Sequence, residues 1–359
     1  MPSLVPERRR CPPKWWVPFQ GGTIGVPAES IFGGAHEGET RRKGETTFSC
    51  LGDGKPVGKE GDNNIPSRRK TMNIQWFPGH MTKAIRMMEE NLRLVDALIY
   101  VIDSRAVYSS NNPLFDKLIA GKKVLYVFNK CDLVEGRDLA PWCEKFSAEN
   151  KPYVKAVGTS GDCSAIVSGL KKIAADKIER FGERGANVSV RAMVVGVPNS
   201  GKSTVINAMC RRAGAVTGDR PGVTRGKQWM SIDGVDFLDT PGTLWGKFEE
   251  ESVAKHLAYI GSIRDEVLDI GDLVYEFLDE IKAEYGANIA ARYGMTELPD
   301  DTIGIFDAIA QARGFKVRGG EPDYDRTAKC VMDDFRKGRL GKIMLEKPQK
   351  HGLTLKKRG

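Results

Sequence analysis

GVPNSGKS, Gly196 to Ser203, follows an apolar run from Val190 to Val197 and precedes a helical pattern beginning near Ser203. Strand, glycine loop and helix in that order are the context a phosphate-binding Walker A loop requires. Its glycines let backbone N–H groups turn inward around phosphate oxygens, and the N-terminus of the following helix adds favourable dipole charge. Asn199, Ser200, Gly201 and Thr204 then belong to the cradle. Lys202 is expected to reach the β and γ phosphates as a catalytic group, and Ser203 to ligate magnesium. An ordinary glycine turn is the alternative, and the flanking strand and helix patterns argue against it.

Working outward, DTPG, Asp239 to Gly242, ends a second apolar run. It places the Asp239 carboxylate where it can hold magnesium and the Gly242 amide near a γ phosphate. Between the two motifs lies TGDRPGVT, Thr217 to Thr224. If mobile, this is a switch segment whose Thr224 hydroxyl closes on magnesium only when the γ phosphate is present. A surface turn fits the same letters.

Upstream, NKCD, Asn129 to Asp132, sits at the end of a buried-strand pattern. Asp132 can accept two hydrogen bonds from guanine's N1–H and exocyclic amine, a match adenine cannot make. Asn129 is expected to brace the loop and Lys130 to lay its stem along the base. Together these motifs describe a P-loop site for GTP. Their order is unusual, because the base-reading motif precedes the phosphate loop. A circular permutation accounts for that without altering the site, since domain termini lie close together at the surface and can be rejoined. It also sends the chain from the switch region near Trp245 straight into the C-terminal portion.

The chain has 359 residues, 40% of them hydrophobic, enough for two or three domains with real cores. Short apolar runs at Ala97–Asp103, Val124–Asn129, Tyr153–Val157 and Val190–Val197 alternate with helical patterns, the first from about Met81 to Leu94. That texture predicts an α/β fold, a mostly parallel sheet with helices on both faces. Gln228–Ile232 and Val235–Leu238 flank Asp233-Gly234 and read as an antiparallel hairpin on the sheet edge. After about Lys247 strand signals stop, and Leu273, Val274, Phe277, Leu278 and Ile281 space one helix face. The expected organisation is a Gly/Pro/Arg-rich segment over 1–71, read as disordered or as an upstream start; a permuted nucleotide-binding domain over 72–247; an all-helical domain over 248–346; and a basic tail over 347–359.

Seven scattered cysteines lack metal-site or disulfide spacing and read as reduced thiols. No stretch approaches the roughly 18 apolar residues of a membrane helix. A cytoplasmic protein without a membrane partner is expected. The formal charge of +8 suits a polyanionic partner, and equally suits plain solubility.

With these residues in view, Met72 to about Pro348 resembles the ribosome biogenesis GTPase A family of circularly permuted GTPases. The likeness rests on MNIQWFPGHM from Met72, IDSR at Ile102–Arg105, TGDRPGVT, DTPG, RYGMTELPDD from Arg292 and FDAIAQARG from Phe306. It implies a GTP-hydrolysing assembly factor for the large ribosomal subunit, with a helical domain that contacts ribosomal RNA and hydrolysis stimulated by that subunit. Binding to pre-ribosomal particles in the GTP state, release after hydrolysis and a monomer off the ribosome are the corresponding expectations. It also places the family's catalytic histidine at His80. Asn199 stands where related GTPases bind a potassium ion through an asparagine carbonyl. Two departures are notable: Ala156-Val157-Gly158-Thr159 lacks the serine and asparagine usual under the guanine, and Thr243 replaces an aliphatic residue. The rival reading is an RNA-associated guanine-nucleotide sensor that scarcely hydrolyses.

Overall fold

A computed structural model describes residues 79–161, 164–183, 188–212, 229–246 and 248–348. The 1–71 segment, Thr217–Thr224 with its switch hydroxyl Thr224, and most of the basic tail lie outside the described residues, as do the side chains of Gly79 and His80.

Helix α1 (Gly79–Leu92) leads into β1 (Ala97–Asp103), α2 (Leu114–Ile119) and β2 (Lys123–Asn129). Then come α3 (Gly136–Ala148), β3 (Tyr153–Lys155), α4 (Ser164–Ile173), α5 (Ala175–Gly182) and β4 (Val190–Val195). After the phosphate loop follow α6 (Lys202–Arg212) and the hairpin strands β5 (Trp229–Ile232) and β6 (Val235–Asp239). The sheet runs β3-β2-β1-β4-β6-β5, every neighbouring pair parallel except β5 with β6. Both turn residues of the hairpin, Asp233 and Gly234, have positive φ, at 48° and 78°. A two-residue turn of this kind matches the strand twist and closes the edge hairpin.

Strand β1 shows why the sheet is covered twice. Its side chains alternate between faces, and all seven residues are buried. Ala97, Ile99 and Val101 join the core under α4 and α6, including Ile166, Leu170, Val205 and Met209. Leu98, Tyr100 and Ile102 join the opposite core with Met88 of α1 and Leu139, Trp142 and Phe146 of α3. A continuous apolar run is thus the sequence form of a strand with no solvent face.

Several boundaries differ from expectation: α1 ends at Leu92 rather than Leu94 and β4 at Val195 rather than Val197, and two further shifts lie beside the site. Helix α1 begins at Gly79 rather than near Met81, so His80 lies in its first turn, where backbone N–H groups have no acceptor within the helix. Strand β3 stops at Lys155, two residues early. Ala156 is still tied to the end of β2, its N–H donating to the Phe128 carbonyl and its carbonyl accepting the Cys131 N–H of the turn that follows.

The remaining helices are α7 (Glu251–Tyr259), α8 (Ile270–Tyr293), α9 (Thr302–Arg313) and α10 (Tyr324–Arg336). Asp269, Asp301 and Asp323 cap α8, α9 and α10 by accepting the N–H of the third residue on, each cap adding about 1 kcal/mol. The expected α8 face, Leu273, Val274, Phe277, Leu278 and Ile281, is buried. Its core also takes in Met81, Ala106, Val197 and Leu244 from the sheet half, so the helical region and the nucleotide loops share packing. No helix of the described residues is long and apolar enough to cross a membrane.

Candidate functional site

Parallel strands bring their C-terminal ends to one edge, where open α/β sheets bind ligands. Here the register sets Asp103 beside Asn129 and Asp239 beside Val194, with Gly196 just beyond the end of β4. Motifs separated in sequence and inverted in order therefore meet at one place.

Asn129 is the clasp. Its Nδ2 donates to the Ser200 carbonyl at 2.8 Å, and its Oδ1 accepts the Gly158 N–H at 3.0 Å. The turn after β2 thus holds both the glycine loop after β4 and the loop after β3. Gly201, at φ 95°, can carry no side chain here, because a Cβ would stand 2.2 Å from Asn129 Nδ2. Gly242 is excluded from growing by Pro198 and by Lys202 Nζ, which a Cβ would meet at 2.6 and 2.8 Å. DTPG therefore lies directly on the phosphate loop.

Lys130 takes a left-handed backbone at φ 58° and sends Nζ to Asp103 Oδ2 at 2.7 Å and the Asn199 carbonyl at 2.6 Å. Its head group is thus anchored. Asp103, wholly buried, also receives Arg105 through Nε at 3.0 Å and Nη2 at 2.8 Å. Burial alone would raise the Asp103 pKa; Arg105 and Lys130 override it and hold the carboxyl far below the ordinary range.

Lys202 is almost fully buried and donates to the carbonyls of Gly196 and Val197 at 3.2 and 2.9 Å. Burial lowers its pKa to about 8; Asp239 opposes that shift and Lys130 adds to it. Ser203 Oγ donates to Asp239 Oδ2 at 2.9 Å, and Asp239 Oδ1 is buried without a partner. A hydroxyl and a carboxylate with an unsatisfied oxygen make a donor set that suits a hard divalent cation completed by phosphate and water. Asn199 donates Nδ2 to the Gly261 carbonyl after α7, leaving Oδ1 as the atom a cation would meet. Thr243 is fully buried, its Oγ1 unpartnered and its carbonyl held by Asn112 at 2.9 Å.

A cavity of about 450 Å³ opens over the phosphate loop, walled by Arg105, Lys130, Lys202, Ser203, Ile260 and Arg336 among others. A second of about 300 Å³ is walled by Asn129, Asp132, Gly158, Thr159, Arg336 and Lys337. Asp132, exposed in the short 3-10 turn Cys131–Leu133, stands at this second, base-sized cavity with Thr204. Phosphate-loop and base-reading residues expected from sequence are gathered here. Asp103, Arg105, Ile260, Gly261, Arg336 and Lys337 also stand at the site, and none of them belongs to a motif that the sequence reads as binding nucleotide. The IDSR run at a strand end was a usable signal for the first two; nothing local marks the other four.

Residues 191–292 match a family model described as a 50S ribosome-binding GTPase. Ribosome biogenesis GTPase A of Bacillus cereus is 38% identical over 284 residues, covering 78% of this chain and 96% of that protein. Mitochondrial ribosome-associated GTPase 1 of Bos taurus is 30% identical over 305 residues, covering 78% and 90%. The crystal structure of GNP-bound YlqF from T. maritima superposes with a TM-score of 0.53 at 26% identity, covering 74% of this chain and 99% of that one. With its six-stranded, mostly parallel sheet, its helical C-terminal region and this coverage, the chain belongs to the ribosome biogenesis GTPase A family of GTP-binding, GTP-hydrolysing proteins.

Proposed function

We propose that this chain is a GTP-hydrolysing assembly factor for the large ribosomal subunit, binding pre-ribosomal particles with GTP and leaving after hydrolysis. The observation that carries the hydrolytic part is the Ser203–Asp239 pair beside Lys202, with one carboxylate oxygen buried and unsatisfied. Ser203 and Asp239 would hold magnesium, with Thr224 added when the switch segment closes. Bound there, the ion neutralises charge on the β and γ phosphates. Lys202 gives up the Gly196 and Val197 carbonyls for phosphate oxygens, and the Gly242 amide faces the γ end. Asp132 reads the guanine edge while Asn129 and Lys130 keep its loop in register.

The residue after Gly242 is the buried Thr243, not a glutamine able to orient water. His80 takes that role in this reading, positioning the attacking water from the first turn of α1. Asn199 would hold a potassium ion through its side-chain carbonyl, supplying positive charge to the phosphates, and turnover is expected to be faster in potassium than in sodium. The helical region over 248–346 meets ribosomal RNA, the protein works in the cytoplasm, and off the ribosome it is a monomer. Relatives named for ribosome biogenesis and ribosome association support the partner.

Thr243 also favours a second reading, a guanine-nucleotide sensor with little turnover. GTP hydrolysis measured with and without purified large subunits separates the two. Stimulation supports the assembly GTPase; an unchanged, near-zero rate supports the sensor. Sedimentation of extract with GDP or a non-hydrolysable GTP analogue checks the partner, and co-migration with large-subunit precursors only in the GTP form is the expected result.

A further inference from the structure

The two cavities share four wall residues, Lys130, Gly201, Thr204 and Arg336. Three come from the turn after β2, the phosphate loop and the first turn of α6. Arg336 comes from the far end of α10, more than 130 residues further along the chain. A nucleotide with phosphates in one cavity and base in the other must thread that seam with its α phosphate and ribose. We propose that Arg336 is a nucleotide-binding residue supplied by the helical region, its guanidinium leaving Asp265 to bind an α-phosphate oxygen. The inference rests on the GTP-binding reading of the site.

The contacts of Arg336 divide into a firm and a loose set. Nε donates to the Tyr259 carbonyl at 3.0 Å and Nη2 to the Ala258 carbonyl at 2.8 Å, both at the C-terminal end of α7. These fix the stem of the fork. Nη1 and Nη2 each reach Asp265 at 2.7 Å, but the Asp265 side chain is 44% exposed. The pair is a two-point fork, yet its carboxylate faces solvent, so a phosphate that offers the same charge-assisted, matched geometry can compete for it while Asp265 is rehydrated. Exchanging one for the other takes only the outer edge of the fork.

The backbone that carries Arg336 is already referenced to the site. Arg105 Nη1 donates to the Phe335 and Arg336 carbonyls at 3.3 and 3.4 Å, and its guanidinium lies over the Phe335 ring. The same Arg105 grips Asp103, which Lys130 also holds. Arg336 Nε packs against Gly261, whose carbonyl takes the Asn199 amide of the phosphate loop. The end of α10 is therefore built into the wall of the nucleotide site. Lys202 and Ser203 line only the first cavity whereas Arg336 lines both, which suits a contact at the seam rather than at the γ end. A contact at the α phosphate serves GTP and GDP alike.

The test is the affinity of the full chain for fluorescent GDP and for a fluorescent non-hydrolysable GTP analogue. Arg336→Ala is expected to weaken both by roughly 10- to 100-fold, the range for a lost charge-assisted hydrogen bond. Asp265→Asn frees the fork, so it should bind both nucleotides as well as the parent or better. Were Arg336 only a latch between α10 and the turn at Asp265, the two variants would weaken binding alike; that result, or an Arg336→Ala affinity within twofold of the parent, overturns the proposal. Weakening confined to the GTP analogue overturns the α-phosphate assignment. Where Arg336→Ala melts below the assay temperature, Arg336→Gln, which keeps an amide donor for the α7 carbonyls, is measured in its place and separates the same outcomes. No binding by the parent chain is a distinct result, and it refutes the GTP-binding reading itself.

Discussion

Arg105 closes a two-point grip on Asp103, at 3.0 and 2.8 Å, and the same guanidinium reaches the Phe335 carbonyl 230 residues away. One buried side chain thus ties the end of β1 to the end of α10. Arg105→Met leaves Asp103 with Lys130 as its remaining cation beside the backbone N–H of residue 105, and breaking a buried pair of this kind costs about 3–5 kcal/mol. Urea unfolding should show that loss. A change below about 1 kcal/mol would mean that Lys130 and the surrounding amides compensate Asp103 unaided.

Asp132→Asn should move preference from GTP towards xanthosine triphosphate. An amide donates to the xanthine carbonyl where the carboxylate accepted from guanine, and such sites discriminate by up to roughly four orders of magnitude. Asp132 is exposed at its cavity, which reduces the effect. Competition binding with the two nucleotides measures the ratio, and an unchanged ratio rejects the base-reading role.

Nucleotide binding above neutral pH should take up a proton at Lys202. Burial sets its pKa to about 8 in the free protein, and a phosphate in place of the loop carbonyls raises it. At pH 8.5 about three quarters of the sites must gain a proton, while at pH 7 uptake is small. Calorimetry of GDP binding in buffers of different ionisation enthalpy reads this directly. Lys202→Arg should abolish the buffer dependence, since arginine stays charged throughout.

His256 predicts a stability loss in mild alkali. It is buried, with Nδ1 2.8 Å from Glu346 and Nε2 2.8 Å from Glu280. Burial alone would lower its pKa, but the two carboxylates raise it to about 9. A folded pKa above the unfolded 6.5 gives stabilisation that is full below about pH 6.5 and lost as pH rises through 9, on the order of 3 kcal/mol. Lys202, with its lowered pKa, works in the opposite sense over pH 8 to 10.5. Melting curves of the parent minus those of His256→Gln isolate the histidine, and a flat difference from pH 6 to 10 would remove its charge from the account.

His80→Ala should lower turnover on the large subunit by roughly 10- to 1000-fold while leaving GTP affinity nearly intact. Thr243 competes for the role, because its buried Oγ1 has no partner. If Thr243→Val abolishes stimulated turnover and His80→Ala is silent, the histidine assignment is wrong.

Local letters determined much of this protein. An uninterrupted apolar run such as Ala97–Asp103 declares a strand covered on both faces, Asp233-Gly234 declares a hairpin, and GVPNSGKS declares a strand, a glycine loop and a helix. Those readings work because backbone preference and side-chain period act over a few residues. Motif order in the sequence also announced the permutation. Tertiary structure alone decided what the loops lean on. The Asn129 clasp joins loops from three places in the chain, the Lys130 head group goes to Asp103 and the phosphate loop, and Arg336 lines both cavities from the last described helix. Nothing in the letters around Arg336 distinguishes it from a solvated arginine at a helix end. Its place is fixed by the packing of α7 and α10 against the sheet half, a sum of many apolar contacts between distant segments that no local pattern encodes.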